Sequence, residues 1–306
     1  MGALSRTVWQ IRREDAGYPD RLKHLTDAPA VLYGRGDPRA LDAPCVTIVG
    51  SRRSTAYGRR VAEELAQAAV RSGWTVLSGL ALGVDGAAHR GTVMAGGRTV
   101  AVLAGGPDRA HPAAHRPLLE QLLERGAVLS EYEPGVTPRK HHFPRRNRIL
   151  AALAWRVVVV EAASRSGALI TASIAADLGR DVWAVPASIF SPTARGTLAL
   201  LEDGAVPVVS VEAWEASLAA EGMAAAEASG RSVEGGGPRG QLSLGPQQDA
   251  LQARIWQVLG NEELTLEALA LRVERPLGEL LSALTHLELS GWLTRRPGPA
   301  FRRRAA

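Results

Sequence analysis

Four stretches of this sequence carry the side chains best suited to chemistry, and that chemistry is anion binding. Gly50-Ser51-Arg52-Arg53 breaks an apolar run and offers backbone N–H groups, a hydroxyl and two guanidinium forks. Ser78-Gly79 opens a second loop rich in small residues. Ser166, Gly167 and Thr171 fall in a third, Ser164-Arg165-Ser166-Gly167-Ala168-Leu169-Ile170-Thr171, with hydroxyls at the start of a helical pattern. Helix N-termini and guanidinium groups both suit phosphate. The fourth stretch, from Arg139 to Arg148, packs five fixed positive charges, two histidines and Phe143 into ten residues without one acid. Lys140, Arg145 and Arg148 there suit a phosphate backbone, Asn147 adds a polar amide, and Phe143 offers a face for a base. The bland alternatives are ordinary strand-to-helix turns at Gly50 and Gly79, and a helix cap at Ser166. Arg146 and Arg148 are equally open to structural ion pairs with Glu131, Glu133 or Glu161.

Bond-breaking chemistry is thinly represented. Asp85 and His89 stand four apart on one predicted helix, as a surface pair would. Ser78 and Ser130 have no base that the sequence places beside them, and Glu131 and Glu161 end strands where carboxylates often fix basic loops. His141-His142 lacks neighbours of metal-ligand type. The first loop has neither the further glycines of a dinucleotide fingerprint nor an acid ending the second strand, and no G-x-x-x-x-G-K-[ST] run occurs. No catalytic residue, metal or cofactor is expected.

These stretches need a frame that gathers them. Apolar runs recur at Val46-Val49, Thr75-Leu77, Arg98-Leu103, Ala127-Ser130, Val157-Val160 and Val182-Val185, with helical patterns between them. This alternation predicts an α/β fold: an extended Rossmann-like parallel sheet with helices on both faces. In such sheets the loops beyond the carboxyl ends of the strands carry the ligand. The helix before the fifth strand is predicted from about Asn147 to Leu153, leaving the basic stretch as a loop. Pro207, which cannot donate to a ladder, places the last short strand at an edge. Residues 1–44 read as a leading segment that covers an edge or face of the main domain, residues 45–218. Residues 219–245, poor in large apolar side chains and carrying Gly235-Gly236-Gly237-Pro238, read as a flexible linker. Residues 246–306 show three helical patterns and two short strands, as in a winged helix. Glu274 and Glu279 flank its third helix, which argues against base reading in a groove.

Composition agrees. The 306 residues carry a formal net charge of +5, almost all the positive charge being arginine, with Lys23 and Lys140 the two lysines. A basic balance points toward polyanions. Cys45, the lone cysteine, excludes an intrachain disulfide and fits a cytoplasmic setting. No apolar run is long enough to span a membrane and no export signal is seen.

The motifs together resemble the DprA/Smf family of bacterial DNA-processing proteins. They are Ile48-Val49-Gly50-Ser51-Arg52 with Tyr57-Gly58, Leu77 to Asp85 with Ala88-His89, Ser130-Glu131-Tyr132, Phe143 to Ile149, and Glu161-Ala162 followed by Ser166 to Ala172. The resemblance runs from about Tyr18 to Val209, and the C-terminal module resembles the winged helix often appended to the family. It implies a non-enzymatic homodimer that binds single-stranded DNA and loads RecA in natural transformation. It carries strand-binding roles onto Gly50, Ser51, Arg52, Lys140 and Phe143, with Arg148 and Ser166-Gly167 beside them. Ala187, Leu198 and His111 depart from the family pattern and alter the expected pocket rim. Two other readings remain: a phosphoribohydrolase-like nucleotide enzyme, whose Pro-Gly-Gly-x-Gly-Thr loop is missing, and a regulator that binds duplex DNA through the winged helix.

Overall fold

The computed structural model describes residues 7–228, 250–259, 264–273, 275, 280, 283–284, 287, 293–296 and 300–303. The chain divides into two compact units, Met1–Val233 and Glu234–Ala306.

The first unit is built on nine strands: β1 (Trp9–Arg12), β2 (Val31–Gly36), β3 (Cys45–Val49), β4 (Thr75–Ser78), β5 (Thr99–Val102), β6 (Ala127–Ser130), β7 (Arg156–Val159), β8 (Asp181–Ala184) and β9 (Val206–Pro207). Their order across the sheet is β1-β2-β6-β5-β4-β3-β7-β8-β9. From β6 to β9 every pairing is parallel, whereas β1 with β2 and β2 with β6 are antiparallel. The sheet is therefore mixed. The leading residues extend it with two strands instead of merely covering its edge, because Tyr33 to Gly36 satisfy the free ladder of β6. Pro207 lies at the opposite edge, in β9.

Strand side chains alternate between two cores, as a pleated sheet covered on both faces requires. On β3, Val46 and Ile48 enter one core while Cys45 and Val49 enter the other, and on β7 Val158 and Val157 divide likewise. One face is covered by α1 (Ala56–Arg71), α2 (Val84–Met94), α3 (Arg116–Leu122) and α7 (Val211–Ala228), the other by α4 (His142–Leu153) and α5 (Gly167–Asp177). A further helix, α6 (Arg195–Glu202), precedes β9. The winding reverses between β3 and β7, so the loops after these strands diverge at a topological switch point.

Two boundaries differ from the sequence reading. α4 begins at His142, so all of the basic stretch but Arg139, Lys140 and His141 is helical. Pro144 is tolerated there because the first turn needs no N–H donors. α7 continues to Ala228, into the predicted linker, the rest of which lies outside the described residues.

The second unit contains α8 (Ala250–Leu259), β10 (Leu264–Thr265), α9 (Leu266–Val273), β11 (Leu293–Arg296) and β12 (Ala300–Arg303). Its sheet runs β10-β12-β11, around a core that includes Ile255, Leu259, Leu269, Leu284 and Phe301. Most of the expected third helix, with Glu274 and Glu279, lies outside the described residues. No described helix is long and apolar enough to cross a membrane.

Candidate nucleic-acid interface

A cleft of about 360 Å³ opens at the switch point. It draws on the loops after β3, β4 and β7, the first turn of α4, and the start of α5. Of the predicted site residues it gathers Gly50, Ser51, Arg52, Phe143, Asn147, Ser166, Gly167 and Thr171. Arg52 places its guanidinium carbon 4.7 Å from the centre of the Phe143 ring, within range of a cation–π contact. His111 lies 5.7 Å from the same ring, centre to centre. Asn147 is held by donation from its Nδ2 to the Gly167 carbonyl, 3.0 Å away, which ties α4 to the mouth of α5.

The floor is Arg146, whose residue is only 5% exposed. It donates to the carbonyls of Gly79 and Val102. The guanidinium lies so close to Gly79 that no Cβ fits there. Burial pulls its pKa down, while nearby Asp85 opposes that shift. Asp85 is buried in turn, and burial pushes its carboxyl pKa up against the pull of Arg146. Its Oδ2 accepts from the Gly79 and Ala81 N–H groups at 3.1 and 3.4 Å, so from the first turn of α2 this carboxylate reaches back and holds the loop after β4.

The mouth of α1 is met by a carboxylate from another element. Glu161, at the end of β7, accepts from the Thr55 N–H at 2.8 Å and from the Thr55 hydroxyl at 2.6 Å. Its carboxylate fits there because position 58 is glycine, with no room for a Cβ. Ser51 N–H donates to the Glu161 carbonyl at 2.7 Å, and the Arg53 N–H to Ser51 Oγ at 3.1 Å. The backbone donors expected to cradle a phosphate after β3 are thus largely engaged by the protein itself. The loop contributes the Arg52 side chain to the cleft instead.

The mouth of α5 differs. Ser166 caps it by accepting from Ala168 N–H, but among the described residues no carboxylate bonds to it, and the space around Gly167 is open. Thr171, one turn on, is 1% exposed and still lines the cleft. Arg165, on the same rim, is exposed and enters no ion pair among the described residues.

Six predicted residues are not brought into the cleft. Ser78 is fully buried and donates to the Ile48 carbonyl at 2.6 Å, bracing two strands. Gly79 lies behind Arg146. Arg148 is turned away and buried, pairing with Asp27 at 2.8 Å and Glu131 at 2.7 Å, the structural alternative weighed for it. Arg145 is half-exposed and shares Glu131 at 3.2 Å. Arg53 and Lys140 are exposed outside the lining.

The acid–base candidates are likewise engaged. Ser130 donates to the Gly105 carbonyl at 2.7 Å. His89, 2.7 Å from the Thr99 hydroxyl, is held neutral by burial, its pKa lowered to about 3. No cluster of three metal-ligating side chains occurs among the described residues. Reading the sequence for function passed over Arg146 as the floor and Asp85 as an internal anion. The signal for Arg146 was present: His142, Arg146, Leu150 and Leu153 are spaced as the inner face of a helix, and all four are buried.

The family described as DNA recombination-mediator protein A matches residues 9–218, all of the cleft included. The chain belongs to this DprA/Smf family. A DprA winged helix domain matches residues 243–299. The DNA processing protein DprA of Bacillus subtilis is 42% identical over 64% of this chain and 66% of its own length. Protein Smf of Escherichia coli is 35% identical over 94% of this chain and 76% of its own. Among solved structures, DprA from Streptococcus pneumoniae superposes with a TM-score of 0.65 at 39% identity, over 68% of this chain and 74% of that one. DprA from Helicobacter pylori, whose structure concerns its single-stranded DNA binding mode, also gives 0.65, at 28% identity over 70% of this chain and 97% of that one.

Proposed function

We propose that this protein is a non-enzymatic, cytoplasmic recombination mediator. It binds and protects single-stranded DNA as a homodimer and loads RecA onto it in natural transformation and recombination. One observation carries the binding part: an aromatic ring, an arginine and an open helix mouth face one cleft at the switch point. A stacked base needs the first of these, and a phosphate needs the other two. The Helicobacter pylori relative's single-stranded DNA binding supports the choice of ligand, and the recombination-mediator family supports the RecA step. The absence of an acid–base role is supported by the engagement of Asp85, Ser130, Glu131 and Glu161 in internal bonds.

The test is fluorescence anisotropy with labelled oligo-dT and a matched duplex, titrated across salt. Tight, salt-sensitive binding that prefers the single strand is expected. Duplex preference would overturn the reading. The RecA step is tested by the lag before RecA covers a strand, which the protein should shorten.

A further inference from the structure

A second aromatic lies at the same edge of the sheet, outside the cleft. β7 and β8 run parallel, so the loop after β8 emerges beside the loop after β7 that forms a wall of the cleft. In that loop Ile189 and Phe190 are 73% and 89% exposed, and no other described large apolar side chain is as exposed as Phe190. The loop is nonetheless fixed. Phe190 N–H donates to Ser188 Oγ at 3.3 Å, Ser191 N–H to the Ser188 carbonyl at 2.9 Å, and Gly196 N–H to the Ala162 carbonyl at 2.7 Å. Gly196 approaches the Ala162 and Ala163 backbone closely, and Ala163 lines the cleft. From Val182 to Leu201 the one ionisable side chain is Arg195, exposed and without an ion-pair partner among the described residues.

We infer that the Phe190 loop with Arg195 is a second stacking platform, which takes a nucleobase and its phosphate after the strand leaves the cleft past Arg165. The inference rests on the single-strand reading above. An exposed ring needs an apolar or aromatic occupant. A nucleobase supplies a flat face to Phe190, and its phosphate supplies the anion that Arg195 lacks. An apolar surface of a second copy would satisfy the ring but would desolvate Arg195 without a counter-charge. Arg165 lines the cleft, and Arg195 precedes Gly196, which is bonded to Ala162 on the loop that walls the cleft, so the two cations suit an extended polyanion.

The experiment compares wild-type full-length protein with Phe190→Ala and Phe190→Trp, using a short dT oligonucleotide of about six nucleotides and a long one of about twenty. Phe190→Ala is expected to leave the short oligonucleotide unaffected and to weaken the long one by roughly five- to one-hundred-fold. Phe190→Trp should restore it. Ultraviolet cross-linking of a long strand carrying 5-iododeoxyuridine should yield an adduct at Phe190. Equal affinity of wild type and Phe190→Ala at both lengths would overturn the inference. So would a change in sedimentation of DNA-free Phe190→Ala, which would assign the ring to a contact between copies. If wild-type protein binds neither length, the single-strand reading falls and this inference with it. If cleft variants lose binding while Phe190→Ala does not, this inference alone falls.

Discussion

The mouths of α1 and α5 look alike in sequence and differ in structure. Both follow a buried strand, both carry serine or threonine at the cap, and the loop leading into each lines the same cleft. At α1 the protein supplies its own anion, the Glu161 carboxylate, bound to the Thr55 N–H and hydroxyl. At α5 no carboxylate among the described residues takes that place, and Gly167 faces open space. At α2 the acid is the helix's own: Asp85, in its first turn, reaches back to the Gly79 and Ala81 N–H groups of the loop before it. The comparison teaches that a helix N-terminus marks an anion site without saying whose anion. Here Glu161 ties the closed mouth of α1 to the end of β7, and the mouth of α5 stays open at Gly167.

The sharpest way to break this comparison is at the floor. Arg146→Met leaves the Asp85 carboxylate buried without the positive charge that most strongly favours it and removes the bonds to Gly79 and Val102. A loss of about 3–5 kcal/mol of stability is expected, read by urea unfolding. A variant within about 0.5 kcal/mol of wild type would mean that Asp85 needs no internal partner.

The next largest effect belongs to the closed mouth of α1. Glu161→Ala strands the Thr55 donors and should cost about 2–3 kcal/mol, as expected for hydrogen bonds to a charged acceptor. Glu161→Gln keeps one acceptor and should recover part of that loss. If Glu161→Ala instead raised single-strand affinity with stability unchanged, the α1 mouth would be a ligand site held shut, and the contrast with α5 would collapse.

Phe143→Ala probes the open side. It should weaken oligo-dT binding by about 1–3 kcal/mol, measured by anisotropy, as for a stacked base. Unchanged binding would make Phe143 only a support for Arg52 and His111.

Much of this arrangement was legible from residues alone. The β-branched runs at Val46-Val49 and Val157-Val160 announced buried parallel strands, and the breaks at Gly50 and Glu161 announced the loops of the switch point. Arg52, Phe143 and Ser166-Gly167, singled out because their types suit phosphate and base, all line the one cleft. What was not legible depended on long-range pairing. Nothing local to Arg148 says that Asp27, far away in sequence, will meet it, and nothing local to Ser51 says that its N–H belongs to Glu161. The antiparallel addition of β2 to β6 was hidden for the same reason, since short strands broken by Gly34 and Gly36 carry little signal of their own. The charge run at Arg139–Arg148 read as a loop because its polarity masked the spacing of His142, Arg146 and Leu150.

The smallest expected effect is also the most discriminating. Arg52 stands on a loop whose Ser51 N–H is bound to Glu161, and its side chain is the charge that this loop brings to the cleft. If it neutralises one phosphate, Arg52→Ala should flatten the log–log salt dependence of single-strand binding by about 0.7. Arg52 also lies over Phe143, so the two side chains are not independent. A double-mutant cycle with Phe143→Ala should return a coupling of about 0.5–1 kcal/mol, the size of a partly exposed cation–π contact. A normal salt slope with that coupling intact would make Arg52 a support for the ring and leave phosphate binding to the α5 mouth and Arg165. A lost slope with no coupling would make Arg52 a phosphate ligand in its own right. The loop after β3 would then be a ligand site through its side chain, even though its backbone serves Glu161.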